Sequence, residues 1–233
     1  MLVALFPIKA KSERIKNKNF KLFCGKPLYR WMLDKLVSNS KIDKIIVNTD
    51  SNFLYKNKEH FNKKIFIRKR SKSLIGHSIS MNEIIKNDII FVTNNLFQDK
   101  KIDFLMTHAT NPLISNITIN KAYNLFIKKE KKIDSLFSVN MYRSRFYDDL
   151  ARPLNHNPKK LIQTQFLKSI YEENSCMYFF TKKSFENSNT RIGKKPFMFI
   201  SPLEESIDID DISNWNFAKK IMINNLKFKK KFL

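Results

Sequence analysis

The stretch LVALFPIKAKSERIKNKNFKLFCGKPLYRWMLDKL, Leu2–Leu36, decides how the rest of the chain is read. It opens on a short apolar run of strand type, Leu2–Phe6. It closes on a segment from Pro27 in which Leu28, Trp31, Met32 and Leu36 recur at helical spacing, with proline at a tolerated first-turn position. Between the two, Lys9, Lys11, Arg14, Lys16 and Lys18 share a loop with Ser12 and Asn19. A strand, a basic loop and a helix in that order bring backbone N–H groups, Lys and Arg to one place, where phosphate oxygens can be held.

Outward from this unit the alternation continues. Strand-type runs at Lys44–Asp50, Lys64–Arg70, Phe104–Thr107 and Ser135–Val139 are interleaved with helical patterns over Ser51–Phe61, Ser80–Phe97 and Ile117–Lys131. Such interleaving predicts an α/β fold, Rossmann-like, with a mostly parallel sheet flanked by helices and a site at the carboxyl ends of the strands. Residues 140–170 carry paired charges, Pro153 and Pro158 and no clean period, so they are expected to leave the sheet as a lid or an oligomer contact. Strand patterns return at Ser175–Phe180 and Pro196–Ser201. The chain closes with a helix over Ile212–Asn225, capped by Asp210, Asp211 or Ser213.

The bulk numbers narrow the classes. A length of 233 residues with 42% hydrophobic content suits a single domain over 1–233 with a sizeable core. Two cysteines, Cys24 and Cys176, make neither a disulfide framework nor a zinc pattern. No run approaches the ~18 apolar residues of a membrane span, and the start lacks a signal-peptide pattern, so a cytoplasmic location without membrane partners is expected. The net charge of +23 raises nucleic acid as a partner, yet the lysines are scattered, the dense basic tail Lys227–Leu233 reads as a solvated end, and RNA-module signatures are absent. No specific nucleic-acid partner is expected. Only three glycines occur, Gly25, Gly76 and Gly193, against the roughly 7% that is usual. Each is therefore expected to meet a backbone constraint, and Gly25 to serve the turn into the first helix.

Six motifs then fall in order. Pro7, Lys9, Ser12, Lys18 and Asn19 are followed by Gly25-Lys26-Pro27-Leu28. Val47-Asn48-Thr49-Asp50 ends a strand, and Arg70 and Leu74 stand four apart. His108-Ala109-Thr110-Asn111-Pro112-Leu113 ends another strand, Glu173 and Asn174 precede Tyr178, and Glu205-Ser206-Ile207-Asp208-Ile209-Asp210 closes the series. In this order and spacing the chain resembles the acylneuraminate cytidylyltransferases, which make CMP-activated sialic and related nonulosonic acids, and their relatives the deoxy-octulosonate cytidylyltransferases.

The resemblance implies a nucleotidyltransferase that transfers CMP from CTP to a sugar acid with release of pyrophosphate, acting as a homodimer with Mg²⁺. It implies that Lys9, Ser12, Arg14 and Lys18 contact the triphosphate and Asn19 and Arg70 the nucleotide. His108 and Asn111 would touch nucleotide or sugar, and Gln165, Asn174 and Tyr178 would line the sugar site. Lys9, Arg14, Lys18 and Asp210 would carry the catalysis. Asp208 and Asp210 stand two apart, which in an extended segment puts both carboxylates on one side, a donor set suited to Mg²⁺. Asp210 has a second reading as cap of the last helix. The chain departs from the pattern at Lys9, Glu13, His108 and Thr164, which leaves open the same fold acting on another sugar or nucleotide, and an inactive relative that binds RNA or glycan.

Overall fold

The computed structural model describes residues 1–76, 78–98 and 100–231, and the side chains of 228–231 lie outside the description, as does the basic tail beyond Lys227. The elements are β1 (Leu2–Leu5), a small hairpin of β2 (Leu22–Phe23) and β3 (Lys26–Pro27), α1 (Leu28–Ser38), β4 (Lys44–Thr49), α2 (Asn52–Lys56), β5 (Ile65–Lys69), α3 (Met81–Phe91), β6 (Asp103–Met106), α4 (Asn116–Lys128), β7 (Ser135–Tyr142), β8 (Ile170–Thr181), α5 (Lys182–Ser188), β9 (Pro196–Ile200) and α6 (Ile212–Lys231). Seven strands form one sheet in the order β5-β4-β1-β6-β8-β7-β9, in which β8 alone among the described strands runs against the others.

β1 is near the middle of this sheet, and its sequence says why: all four of its side chains are apolar and buried, as a strand covered on both faces requires. Leu2 and Ala4 pack toward Met32, Leu33 and Leu36 of α1 and Ala122 and Phe126 of α4. Val3 and Leu5 face the other way, toward Ile85 and Ile89 of α3. A third cluster lies beyond the strand ends. There Phe23 of the hairpin meets Trp215 of α6 edge-on, ring centres 5.0 Å apart, among Ile15, Leu28, Leu113 and Ile209. This cluster pulls the start of α6 onto the amino-terminal loop.

Several expectations are corrected in detail. The helix expected over Ser51–Phe61 is one short helix, α2, and a separate turn at Lys58–His60. β8 is twice the length expected and antiparallel, wedged between β6 and β7, with Ser175 at φ 57° where the pairing with β7 shifts register. α5 has no apolar period to announce it and is set by its cap: Thr181 and Ser184 exchange the reciprocal bonds of a capping box. Gly25 (φ 96°) follows Cys24 (φ 47°) at the tip of the β2–β3 hairpin, just ahead of the turn into α1, where both central residues need the left-handed region. At Gly193 a Cβ would collide with the Asp134 carboxylate, which accepts from the Lys194 and Lys195 amides. The excursion occupies 143–169, between the ends of β7 and β8, and holds one short turn, Thr164–Phe166.

Candidate active site

The basic loop is shaped by its own polar groups before any ligand arrives. The Ser12 hydroxyl donates to the Ile15 carbonyl (2.9 Å) and accepts from the Lys18 amide (2.6 Å), so it folds the loop around itself. Asn17 takes a left-handed φ of 54°. The Asn19 amide donates to the Lys9 carbonyl (2.8 Å), and the Ala10 amide donates to Asp50 at the end of β4 (2.6 Å). These bonds aim Lys9, Arg14 and Lys18 at a cavity of about 170 Å³ that they line together with Asp210.

The carboxylates arrive from the other end of the chain. The Ile209 amide donates to the Thr110 carbonyl (2.9 Å), which ties the 208–210 segment to the end of β6. Asp210 then lies 3.1 Å from the Lys18 ammonium and 3.3 Å from the Arg14 guanidinium, and Lys18 also donates to the Ile209 carbonyl (2.5 Å). The cap of α6 falls to Asp211, whose Oδ1 accepts from the Asn214 amide (2.8 Å), leaving Asp210 for the cleft. Asp208 is more enclosed. Desolvation, with the Asp210 charge beside it, pushes its carboxyl above the ordinary range against a hydrogen bond from Thr110, and its Oδ1 is buried without a partner. An orphaned carboxylate oxygen next to a second carboxylate fits a hard divalent cation. Among the described residues no group of three or more His, Cys, Asp or Glu forms a cage, so such an ion would complete its shell from substrate oxygens and water.

Between the loop and the second wall stands the end of β6. His108 is half-buried there, and desolvation, with the Arg191 charge added, pushes its imidazole down to about 3 while Asp210 pulls the other way. It is neutral at physiological pH, a hydrogen-bonding wall with little capacity as a base. Asn111 is fully buried, and both atoms of its side-chain amide lack a partner.

The second wall is a cavity of about 550 Å³ lined by residues of β7, β8 and the 203–217 segment, including Glu173, Asn174, Asp208 and Asp210. Asn174 faces it from a closed network. Its Oδ1 accepts from the Ser138 hydroxyl (2.6 Å), and its Nδ2 donates to Asn140 (2.9 Å) and Ser201 (2.7 Å), so its amide is a fixed strut. Tyr178 is buried, and its hydroxyl donates to Glu173. Gln165 is exposed on the excursion and bonds Gln163 (2.8 Å). Arg70 is buried behind the loop, where Nε and Nη2 each lie 2.9 Å from an oxygen of Asn48. Loop, carboxylates and His108 are therefore brought together, whereas Gln165 and Arg70 stand apart from that cluster.

The sequence profile described as Cytidylyltransferase matches residues 3–220, nearly the whole length over which this architecture extends. The chain belongs to the cytidylyltransferase family. Like its relatives, it is a nucleotidyltransferase. It is 24% identical over 227 residues to a pseudaminic acid cytidylyltransferase of Campylobacter jejuni, covering 93% of this chain and 94% of that protein. It is 23% identical over 239 residues to the CMP-N,N'-diacetyllegionaminic acid synthase of Legionella pneumophila, covering 95% and 96%. The solved structure of CMP:2-keto-3-deoxy-manno-octonic acid synthetase complexed with CTP shares the fold, with a TM-score of 0.63 at 11% identity over 96% of this chain and 99% of that one.

Sequence reasoning missed Arg191. In this cytidylyltransferase it reaches from the turn after α5 and stacks on Tyr178, its guanidinium carbon 3.9 Å from the ring centre. Nothing in the local pattern SNTRIGKK of Ser188–Lys195 separates this cation from its neighbours. The following residue, Ile192, is partly buried against the cluster that holds Tyr178. Of the described helices none is long and apolar enough to cross a membrane.

Proposed function

We propose that this chain transfers CMP from CTP to a sugar acid of the nonulosonic class, releasing pyrophosphate. The observation that carries the reading is the meeting of the basic loop with Asp210, at 3.1 Å from Lys18 and 3.3 Å from Arg14. The names of the relatives, which act on pseudaminic and diacetyllegionaminic acids, support the class of acceptor.

In this reaction a hydroxyl oxygen of the sugar acid bonds to the α-phosphorus, the bond from that phosphorus to the bridging oxygen breaks, and pyrophosphate carries the electron pair away. The barrier is lowered mainly by neutralising phosphate charge and by aligning the attacking oxygen. Lys9, Arg14 and Lys18 supply the neutralisation from one side. Without nucleotide, Arg14 and Lys18 are balanced by Asp210; a bound triphosphate takes over these cations and leaves the Asp210 carboxylate turned to the cleft. Asp208 and Asp210 would hold Mg²⁺, which when bound adds positive charge at the phosphates. His108 and Asn111 bound the space between the nucleotide and the acceptor. The 550 Å³ cavity beside Asp208 is the acceptor pocket, with Glu173 and Asn174 in its wall and Tyr178 behind Glu173, to which its hydroxyl donates. Two unpaired thiols, Cys24 and Cys176, suit a reducing cytoplasm. The exposed Leu150, Leu154, Leu161 and Phe166 of the excursion suit a homodimer contact there.

Pyrophosphate release is the test. The protein, with MgCl₂ and each of the four nucleoside triphosphates, is offered pseudaminic, diacetyllegionaminic, N-acetylneuraminic and 2-keto-3-deoxy-manno-octonic acids. Release that needs CTP and one or more of these acids is expected. Release with another triphosphate, or with none of the acids, would overturn the reading.

A further inference from the structure

We propose that Arg191 is a specificity-determining residue that reads the carboxylate of the acceptor sugar acid; this rests on the reading of the reaction given above. The guanidinium is held rigidly. Its carbon stacks 3.9 Å over the Tyr178 ring, Nη2 lies 3.0 Å from the Tyr178 hydroxyl and 3.2 Å from Glu173, and only 19% of the side chain is exposed. A stacked, ion-paired arginine with so little rotamer freedom left loses little more on binding a ligand.

Its donors are unevenly used. Both oxygens it meets fall on Nη2, whereas Nη1 faces the Met106 sulfur at 3.9 Å, a weak acceptor. A planar fork with that much unused capacity suits a paired-oxygen anion such as a carboxylate. The position selects which anion. Glu173, the ion-pair partner, lines the 550 Å³ acceptor cavity, while the triphosphate loop lines the separate 170 Å³ cavity on the other side of Asp210. Among the residues that line the acceptor cavity there is no Lys or Arg, and Arg191 is the cation ion-paired to its Glu173, so it is the one placed to balance a sugar carboxylate there. Glu173, kept close by Arg191 and Tyr178, guards the cavity against an acceptor that lacks the negative group to compete for the guanidinium.

Steady-state kinetics on Arg191→Met and Arg191→Lys tests this, with the best acid from the panel, its carboxamide, and CTP varied separately. For Arg191→Met the KM of the acid is expected to rise roughly 10- to 100-fold, the range of a lost charge-assisted hydrogen bond, with the KM of CTP changed less than about 3-fold. The preference of the unaltered protein for the acid over its carboxamide should collapse. Arg191→Lys should recover part of the loss, since it keeps the charge and gives up the fork; it also serves should the methionine variant fold poorly, as judged by thermal melting. Equal losses for acid and CTP, or an unchanged preference for the acid over the carboxamide, would overturn the proposal while leaving the reaction standing. Absence of turnover with every acid in the unaltered protein would overturn both.

Discussion

On one wall of the cleft, the loop from Lys9 to Asn19 is tied to the sheet at its start, where the Ala10 amide reaches Asp50, and Asn19 and Ser12 close it from within. Outside the cleft, the excursion 143–169 is held largely by itself. Asn155 clamps its two ends through the carbonyls of Ser144 and Lys168, and Asp148 gathers the amides of Leu150 and Arg152. Charge is thus organised in advance where phosphate has to be neutralised, as preorganised electrostatics requires. The acceptor cavity is lined by β7, β8 and the 203–217 segment, and by no residue of the excursion. The difference teaches that the cleft is built on the sheet and the segments bonded to it, whereas the excursion is a self-contained segment that can change without disturbing it.

The largest effect should come from the first wall. Asp210→Ala removes the carboxylate that balances Arg14 and Lys18 and faces both cavities, and kcat for pyrophosphate release is expected to fall by on the order of 10³, about 4 kcal/mol of transition-state stabilisation. The melting temperature should barely move, because Asp210 is half-exposed and Asp211 caps α6. Retention of activity within tenfold would place the chemistry elsewhere than on this wall.

How much of this was legible in the sequence follows the same division. Local signals served the first wall: Leu2–Phe6, the run of cations and the helix from Pro27 are contiguous, and the buried β1 is apolar throughout. Asp208 and Asp210 entered through the closing Glu205–Asp210 motif, and their spacing put both carboxylates on one side. The antiparallel course of β8 was not, because a strand buried on both faces carries no mark of its direction. Ser12, expected at the triphosphate, lines the loop cavity and also folds its own loop; Arg70, expected at the nucleotide, is bound to Asn48. In both cases a side chain competent to meet a ligand is also competent to meet a nearby backbone oxygen, and only the folded geometry ranks the two. Arg191 was invisible because what holds it, the Tyr178 ring and the Glu173 carboxylate, is a tertiary contact.

A second effect lies beneath the first wall and depends on pH. Asp88 of α3 is buried, accepts from Asn48 (2.7 Å) and Arg68 (2.7 Å), and through Asn48 supports Arg70 and the Ile8 amide. Desolvation pushes its carboxyl up from 3.8 to about 6, against those hydrogen bonds and the charges of Arg68 and Arg70. A pKa raised in the folded state means that the native protein binds the proton more tightly. The resulting stabilisation is complete below about pH 4 and lost as pH rises through about 6. Relative to Asp88→Asn, the unaltered protein should therefore lose roughly 2–3 kcal/mol of stability between pH 4 and pH 7.5, at 1.36 kcal/mol per unit. Urea unfolding of both proteins at the two pH values measures it. A constant difference between them would mean that Asp88 stays ionised throughout and that the charge network, not desolvation, governs it.

On the acceptor wall, Asn174→Ala sharpens the contrast between strut and excursion. It removes a partner from the Ser138 hydroxyl, the Asn140 side-chain carbonyl and the Ser201 hydroxyl, all buried, and should cost about 2 kcal/mol by chemical denaturation, since unmet buried polar groups are expensive. The KM of the acceptor should rise with it, and the KM of CTP should not. A loss of CTP affinity of the same size would show that the two walls are coupled.

The smallest global effect is expected from the excursion itself. Asp148→Asn removes a charged partner from Arg152, whose Nε lies 2.6 Å away, and weakens the acceptor for the Leu150 and Arg152 amides. Arg152 is exposed and the pair bonds within its own turn, so the melting temperature should shift by less than about 1–2 °C. What should change is local opening: trypsin should cut after Arg143 and Arg145 faster than in the unaltered protein, while the lysines of the 9–18 loop keep their protection. Should the melting temperature instead fall as far as in Asn174→Ala, the excursion would be a structural member of the sheet, and the division between a sheet-built cleft and a self-contained excursion would not hold.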